Sequence, residues 1–507
     1  MPSILSPPSA LGLRWTDYPL MDAALAGLCV FSGIRDAERG PALLTPEQLQ
    51  EFQKWAEDAY FSPELTGWIA VVFTSNFLNP SFSQDKKREV LRDILTAYQR
   101  PNLLPERCAI FPELQAQQRV ARDLMPMLMG RGPMNFYPDG QPGLPLSGQA
   151  ITALQGLALA APLVSGRALI LDADDRQLLL RAVATWQGEW LRRVSLSRAK
   201  GEKLPIWAAP RTRLIESLRQ VLRLRPAQDD GVEEDAPLSE FKGGATIYHL
   251  TNSGQGPDAQ IYMLERPAIQ FLRAAEQQFP KEWRALLQTR TYEADKTKDP
   301  RFGSRNELDE ALFSLPDEAT YFLRRYLLPP FKRALRTAQA GGQNGKTTKN
   351  PAKDAPLPIS LAGLWGITEL FLMEVVGMEK ARVEAIEALG QRLGKWIVDE
   401  NDRRLFRELY QARGAGPLRH VLLRAMLNKS KQDAKSGTED RNLITTKDEY
   451  LRIFTEADEV SRADFTLARD LLKMRVIQYL HDARFFEENK DDPDLQNTEL
   501  PSEEGEQ

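Results

Sequence analysis

The chain has 507 residues, a mass of 57.3 kDa and 42% hydrophobic side chains, which suffices for a large core in two or more domains and excludes a small peptide-like module. With only two cysteines, Cys29 and Cys108, and no secretory leader, nothing points to a disulfide framework, and the cytoplasm is the expected compartment. The net charge of -4 conceals a segregation: residues 487–507 carry nine acids and one lysine, and Asp229–Glu240 carries six acids and no base. Arg192–Arg225 holds ten Lys or Arg against two acids, and Arg403–Lys435 nine against two. Each of these basic stretches is either a solvated helix face or a surface for a polyanion.

The apolar run LMDAALAGLCVF contains Asp22 and is too short to span a bilayer, so it reads as a core helix. Thr45 before Pro46 opens a helix through PEQLQEFQKWAEDAYF. Trp68–Phe73 is almost wholly apolar and predicts a buried strand. An Asn-rich turn follows, with Pro80 fixing φ and Ser81 and Gln84 matching a capping box at the start of a basic helix. This strand-turn-helix would present Asn76, Asn79 and Phe82 at a rim. Asn amides bond base edges, a projecting Phe wedges between base steps, and Lys86, Lys87, Arg88 and Arg92 neutralise phosphates. An ordinary corner with solvated charges is the alternative.

Further along, Arg131–Gly148 is a Gly- and Pro-rich loop whose Asn135, Phe136 and Tyr137 either stack on a base or seal the core beneath. Gln149–Ala161 predicts a buried helix and Ala168–Leu171 a strand, followed by Asp172, Asp174 and Asp175, read as helix-capping residues in preference to Mg²⁺ ligands. Gln177–Val194 and Thr212–Leu224 are helical, with Trp186 and Trp190 on one face as packing residues. Thr246–Leu250 and Gln260–Leu264 form a hairpin with a long loop, and Ala268–Gln288 and Glu307–Thr337 are helical. Gln339–Pro356 is a flexible basic linker. Helices are expected at Trp365–Met378, Ala381–Glu400, Arg403–Ala412, Leu418–Leu427 and Lys447–Phe486. AGGQNGKT at residues 340–347 fits a loose phosphate-loop pattern in the wrong context, following a helix and running into Asn350-Pro351. His481-Asp482 is one dipeptide without a supporting cluster.

The run SNFLNPSFSQDKKR, followed by MNFYPDGQPGLPLSGQAITALQGLAL and SGRALILDAD, resembles the large subunit of the type I-B CRISPR effector complex, Cascade, in the branch that includes the myxobacterial developmental homologues. The motif-bearing match covers roughly residues 60 to 175, with weaker similarity through IYHLTNSGQGPDAQIYMLERP. Some members of that group carry two CxxC pairs, a structural zinc signal; this chain has neither, and Arg198–Pro210 reads as the substituted segment.

The resemblance implies an α+β fold: a mixed recognition domain over 1–338, the linker 339–356, an antiparallel helical bundle over 357–486 similar to the Cascade small subunit, and an acidic disordered tail over 487–507. It implies a non-enzymatic subunit without cofactor or metal, which recognises the protospacer-adjacent motif on duplex DNA, helps start unwinding and stabilises the R-loop. The implied partners are CRISPR RNA, target double-stranded DNA, the backbone and guide-end subunits, small subunits, and a helicase-nuclease or transposition proteins, with no membrane. Asn76, Asn79 and Phe82 would read the motif. Lys86, Lys87, Arg88, Arg92, Arg192, Arg193, Arg211 and Arg213 would contact phosphates, with Asn135, Phe136 and Tyr137 as secondary candidates. Arg403, Arg404, Arg407, Arg413, Arg419, Arg424 and Lys429 would lie along the displaced strand. Two other classes compete: a metal-dependent nuclease or NTPase acting on nucleic acid, and a structural interaction protein without DNA contact.

Overall fold

Helix α1 (Pro19–Phe31) is buried at every position from Leu20 to Cys29, so it has no solvent face and the fold must enclose it. Its one charge, Asp22, is satisfied inside: the carboxylate accepts the Thr16 and Asp17 amides at 2.8 and 2.9 Å, and Arg176 pairs with it at 2.8 Å. The computed structural model describes residues 11–73, 77–128, 143–223, 243–252, 256–293, 303–329, 360–436, 443–454, 462–489 and 492. The linker 339–356 and the phosphate-loop-like run lie outside them.

Helix α2 (Pro46–Ala59) starts on a capping box between Thr45 and Gln48, and α3 (Pro63–Val72) starts on Ser62, whose side chain accepts the Leu65 amide. The strand expected at Trp68–Phe73 is therefore a helix. A short, wholly buried apolar run has no periodicity to separate the two, and the Ser-Pro start and tertiary enclosure decide it. Basic α4 (Gln84–Leu95) is capped by Ser83, which accepts the Lys86 amide, and not by Ser81. Strands β1 (Gln118–Val120) and β2 (Leu144–Leu146) form a small antiparallel pair.

The predicted buried helix resolves into α5 (Gly148–Gln155) and α6 (Leu157–Ala160), broken at Gly156. Gly27 of α1 and Gly156 face each other so closely that a Cβ on either would lie 2.6 Å from a backbone oxygen. Strands β3 (Leu163–Val164), β4 (Arg167–Ala173), β5 (Ala245–Thr251) and β6 (Asp258–Leu264) form an antiparallel sheet in that order, with Ile170 opposite Tyr248 and Tyr248 opposite Ile261. Helix α7 (Arg176–Lys200) starts on Asp175, which accepts the Gln177 and Leu178 amides, as the capping reading expects. Trp186 and Trp190 are buried, in keeping with packing. Next come α8 (Pro210–Arg223), α9 (Arg266–Gln278) and α10 (Pro280–Gln288), so the expected helix 268–288 breaks at Pro280. Strands β7 (Thr291–Glu293) and β8 (Ser304–Asn306) pair antiparallel, and α11 (Glu307–Ala311) is shorter than expected because the chain turns before the helical stretch Ala319–Leu327.

Two compact units emerge: residues 1–277 with 290–314, and 278–289 with 315–507. Helix α10 belongs to the second because Phe279 and Glu282 sit against Gly366 and Gly363 of α12 (Leu361–Glu374), where no Cβ fits. Phe322 likewise stacks on Phe371 with centroids 5.0 Å apart. The described remainder of this unit is helical: α13 (Lys380–Asp399), α14 (Arg403–Gln411), α15 (Ala415–Ser436), α16 (Lys447–Ile453), α17 (Arg462–Asp482) and α18 (Phe485–Glu488). The helix expected over 447–486 is thus three. Gly390 and Gly394 of α13 meet Arg475 and Tyr479 of α17 at distances that exclude a side chain. With short antiparallel sheets in the N-terminal half and helices after them, the fold class is α+β. No helix among the described residues is long and apolar enough to cross a membrane.

One buried group supplies a stability prediction. Asp309 of α11 is 1% exposed, its Oδ1 has no hydrogen-bond partner, and Arg219 approaches it at 4.0 Å while also holding Glu276. Burial pushes the carboxyl up to about 8; Arg219 opposes this, and Glu216, Glu276 and Glu310 reinforce it. An unfolded Asp ionises near ~3.9, so across the window up to about 8 the folded chain retains a proton that the unfolded chain has lost, and stability falls as pH rises. Asp309→Asn removes this site's dependence: urea midpoints of the variant should be flatter than wild type between about pH 5 and 9, and higher at the alkaline end.

Candidate nucleic-acid interface

The motif-bearing corner joins α3 to α4. Its inner end is fixed by Phe77, fully buried, with its ring against Phe61 at 5.6 Å and Tyr60 at 6.3 Å. Beyond Phe77 the chain comes to the surface, where Pro80, Ser81 and Ser83 are exposed and Asn79 and Phe82 are half-buried. Asn79 Oδ1 accepts the Ser81 amide at 3.0 Å and the Ser81 hydroxyl at 2.8 Å, and the Asn79 carbonyl accepts the Phe82 amide at 3.0 Å. Such an Asx turn engages the acceptor end of the side chain. The Asn79 Nδ2 donor has no partner among the described residues. Asn76 lies outside the described residues, as do Asn135, Phe136 and Tyr137.

The cations of α4 differ in what holds them. Arg88 lies over the Phe61 ring at 4.8 Å, Lys86 pairs with Glu89 at 3.0 Å, and Arg92 reaches Glu57 at 3.4 Å. These pairs are exposed, so water and salt compete with them. Lys87 has no partner among the described residues. Asn79, Phe82, Lys87 and Arg88 thus lie close together in sequence across the turn and the start of α4, Arg88 exposed and the other three half-buried.

The basic stretch from Arg192 to Arg213 divides: Arg192, Arg198, Lys200 and Lys203 are exposed, while Arg193, Arg211 and Arg213 are taken up by the fold. Arg193 is 6% exposed, donates to Glu64 at 2.7 Å and to the Pro205 carbonyl at 2.8 Å, and lies over Trp207 at 4.7 Å. Arg213 covers the same indole at 4.4 Å and pairs with Glu189, while Arg211 pairs with Glu310 at 3.1 Å and lies over Tyr262 at 5.4 Å. Arg193 is thus corrected from a phosphate contact to part of the core, and Arg211 and Arg213 are ion-paired within the fold. The acids come from positions remote in sequence, such as Glu64 and Glu310, which a count along the chain does not register. Of the four arginines assigned to phosphate here, Arg192 alone is exposed, donating to the Gly188 carbonyl of its own helix.

In the second unit, the named arginines are again mostly paired. Glu408 is bonded by both Arg404, at 3.0 Å, and Arg424. Burial raises its carboxyl, but the bonds and charges of Arg424 and Arg404 outweigh that and leave it below its usual value. Arg403 pairs with Asp492, and Lys429 with Asp433 at 3.3 Å beside the Trp396 ring. Arg407 is half-buried, and Arg413 and Arg419 are exposed. Lys431 and Lys435, counted in the basic stretch Arg403–Lys435 but not named as contacts, and Asn428 line a cleft of about 680 Å³ with Trp396, Arg403 and Arg404 and with the acids Glu400, Asp402 and Asp492. The spacing of Asn428, Lys431 and Lys435 by three and four, which places them on one face of α15, was the available signal.

The enzyme-like features have structural employment. Asp174 accepts the Gly244 amide at 2.9 Å, Asp175 caps α7 and Asp172 sits 3.7 Å from Arg176. Among the described residues, no three His, Cys, Asp or Glu side chains are grouped to hold a metal ion. His481 is exposed beside Asp482, and both cysteines are buried, with the Cys29 thiol pushed up to about 12 by burial.

No family model, curated protein or solved structure matches the chain.

The reassignment of Arg193 carries a direct test. Arg193→Ala removes the ion-pair partner of buried Glu64 and leaves it only the Leu204 amide as a donor, so unfolding measurements should show a loss of about 3–5 kcal/mol. Arg192→Ala should leave stability within about 0.5 kcal/mol.

Proposed function

We propose that the chain is a non-enzymatic recognition subunit of an RNA-guided complex, the large subunit of a type I-B Cascade, which tests a short motif on duplex DNA with the corner between α3 and α4. The supporting observation is that the residues carrying the sequence resemblance, SNFLNPSFSQDKKR, include a turn that reaches the surface, in which Asn79 Oδ1 holds Ser81 and leaves its amide donor without a partner among the described residues, with half-buried Phe82 and Lys87 following it. A donor aimed at base edges, a ring at a base step and cations at phosphates are the minimum for reading a short motif. Pairing with the guide RNA supplies the remaining discrimination.

In this reading the helical second unit runs beside the displaced strand, and α15 with Lys431 and Lys435 joins the exposed Arg413 and Arg419 as contacts to it. Its partners are CRISPR RNA, target DNA and the other Cascade subunits; cleavage or insertion of DNA belongs to separate proteins. The basis is the corner together with the resemblance.

The test uses the complex assembled with guide RNA and partner subunits. Replacing Asn76 and Asn79 by Ala should weaken binding of motif-bearing duplex by about 1–3 kcal/mol while leaving non-specific DNA unchanged. Lys87→Ala should weaken both alike and reduce the slope of log K against log salt by about 0.9. Equal losses on both duplexes from the Asn variants would reassign the corner to phosphate or fold. The absence of any salt-dependent DNA affinity would favour a purely structural interaction protein, and metal-dependent cleavage abolished at Asp172, Asp174 or His481 a nuclease.

A further inference from the structure

The four-stranded sheet of the first unit has two edges that differ in kind. Strand β3 has two residues and its outer side is closed: Val164 bridges to Trp207, and the Ser165 amide donates to the Trp207 carbonyl at 2.6 Å. Strand β6 has seven residues, and among the described residues Ala259–Leu264 makes no backbone hydrogen bond except to β5. An edge strand is ordinarily blunted by a charge, a proline or a bulge that keeps a second strand away. Between Ala259 and Leu264 there is none of these: the run is AQIYML, and it pairs with β5 residue for residue. Ala259, Ile261 and Met263 alternate onto one face, where Ile261 is 58% and Met263 62% exposed beside half-buried Tyr248 and Thr246. From the covered face, Tyr262 lies against Phe313 at 6.1 Å and under Arg211 at 5.4 Å, so the edge is presented as a strand already formed.

We infer that β6 pairs antiparallel with β6 of a second copy of this chain, joining the two sheets across a two-fold axis at Ile261. A row of unpaired backbone donors and acceptors specifies a strand as the occupant, and the sequence of β6 suits its own copy. With Ile261 opposite its symmetry mate, Ala259 faces Met263 of the second copy on the exposed side and Gln260 faces Tyr262 on the other. The apolar row then continues unbroken and all seven residues overlap. Self-pairing brings no like charges together, because Asp258, the one charge in the strand, is paired with Arg167 of β4 and falls opposite Leu264. Since the β3 edge is closed, each chain offers this sheet's one free edge, and the contact ends at a dimer instead of growing. One strand pair is a small contact, so the dimer forms with rising concentration and is not obligate. The pairing is independent of the function proposed above.

The experiment follows the mass of the full chain by sedimentation equilibrium from ~1 to ~200 μM. Wild type should move from 57.3 kDa toward twice that value. Ile261→Lys sets two ammonium groups opposite each other and should raise the dimer dissociation constant about fivefold or more, and an equimolar mixture with Ile261→Glu should restore association. Because Ile261 is exposed, neither substitution opens the core. Register is read with single-cysteine variants, the native Cys29 and Cys108 being buried. A short thiol cross-linker should bridge Ile261→Cys between chains and leave Met263→Cys unbridged, since that position lies about 14 Å from its symmetry mate. A chain monomeric at every concentration, a dimer unaffected by Ile261→Lys, or equal bridging of the two cysteines overturns the pairing. Binding of a peptide of alternating Val and Thr by a monomeric chain, lost in Ile261→Lys, would overturn it too and assign the edge to a strand of another protein.

Discussion

The first unit is organised around the need to satisfy backbone carbonyls in a dry place. Residues 150–164 are buried without a break, and α5 and α6 end there, leaving carbonyls that water does not reach. Three aromatic donors satisfy them: Tyr60 bonds the Gln155 carbonyl at 2.6 Å, Trp190 that of Ala158 at 2.7 Å and Trp68 that of Ala161 at 2.6 Å. Each ring thus contributes a large apolar area and one polar atom whose loss would leave a buried acceptor unpaired. These bonds tie α3 and α7 to the central segment, with the turn after α2 carrying Tyr60.

The surface corner inherits its position from that arrangement. Trp68 fixes α3 and Phe77 is held between Tyr60 and Phe61, so the turn from Asn79 to Ser83 emerges at a set place. Its local shape then comes from Asn79 and the Ser83 cap, both short-range interactions. The turn thus stands on a buried aromatic base, while side-chain hydrogen bonds set its own shape.

Charge is handled differently in the two units. In the first, Glu64 with Arg193, and Glu276 with Arg219, lie inside the fold, where unpaired partners would be costly. Around α14 and α15 of the second, the pairs are at least partly exposed, and Lys431 and Lys435 line the mixed-charge cleft. Surface cations of that kind govern encounter with polyanions more than stability.

Local chemistry was legible from the sequence. The helix start at Thr45-Pro46, the Asp175 cap, the β5–β6 hairpin, the packing role of Trp186 and Trp190 and the α+β class all follow from near-neighbour patterns, because caps, turns and periodicity involve residues a few positions apart; the cap of α4 lies two residues from its expected place, at Ser83 and not Ser81. What only the tertiary structure decided is whatever depends on distant partners. Trp68–Val72 is helical although a fully enclosed apolar run carries no period to read; Arg193 is a core residue through Glu64, 129 positions away; and the mixed-charge cleft is visible only once Asp492, α14 and α15 are brought to one place. Burial and long-range pairing are properties of the folded chain, so a one-dimensional count of charges or apolar residues cannot contain them.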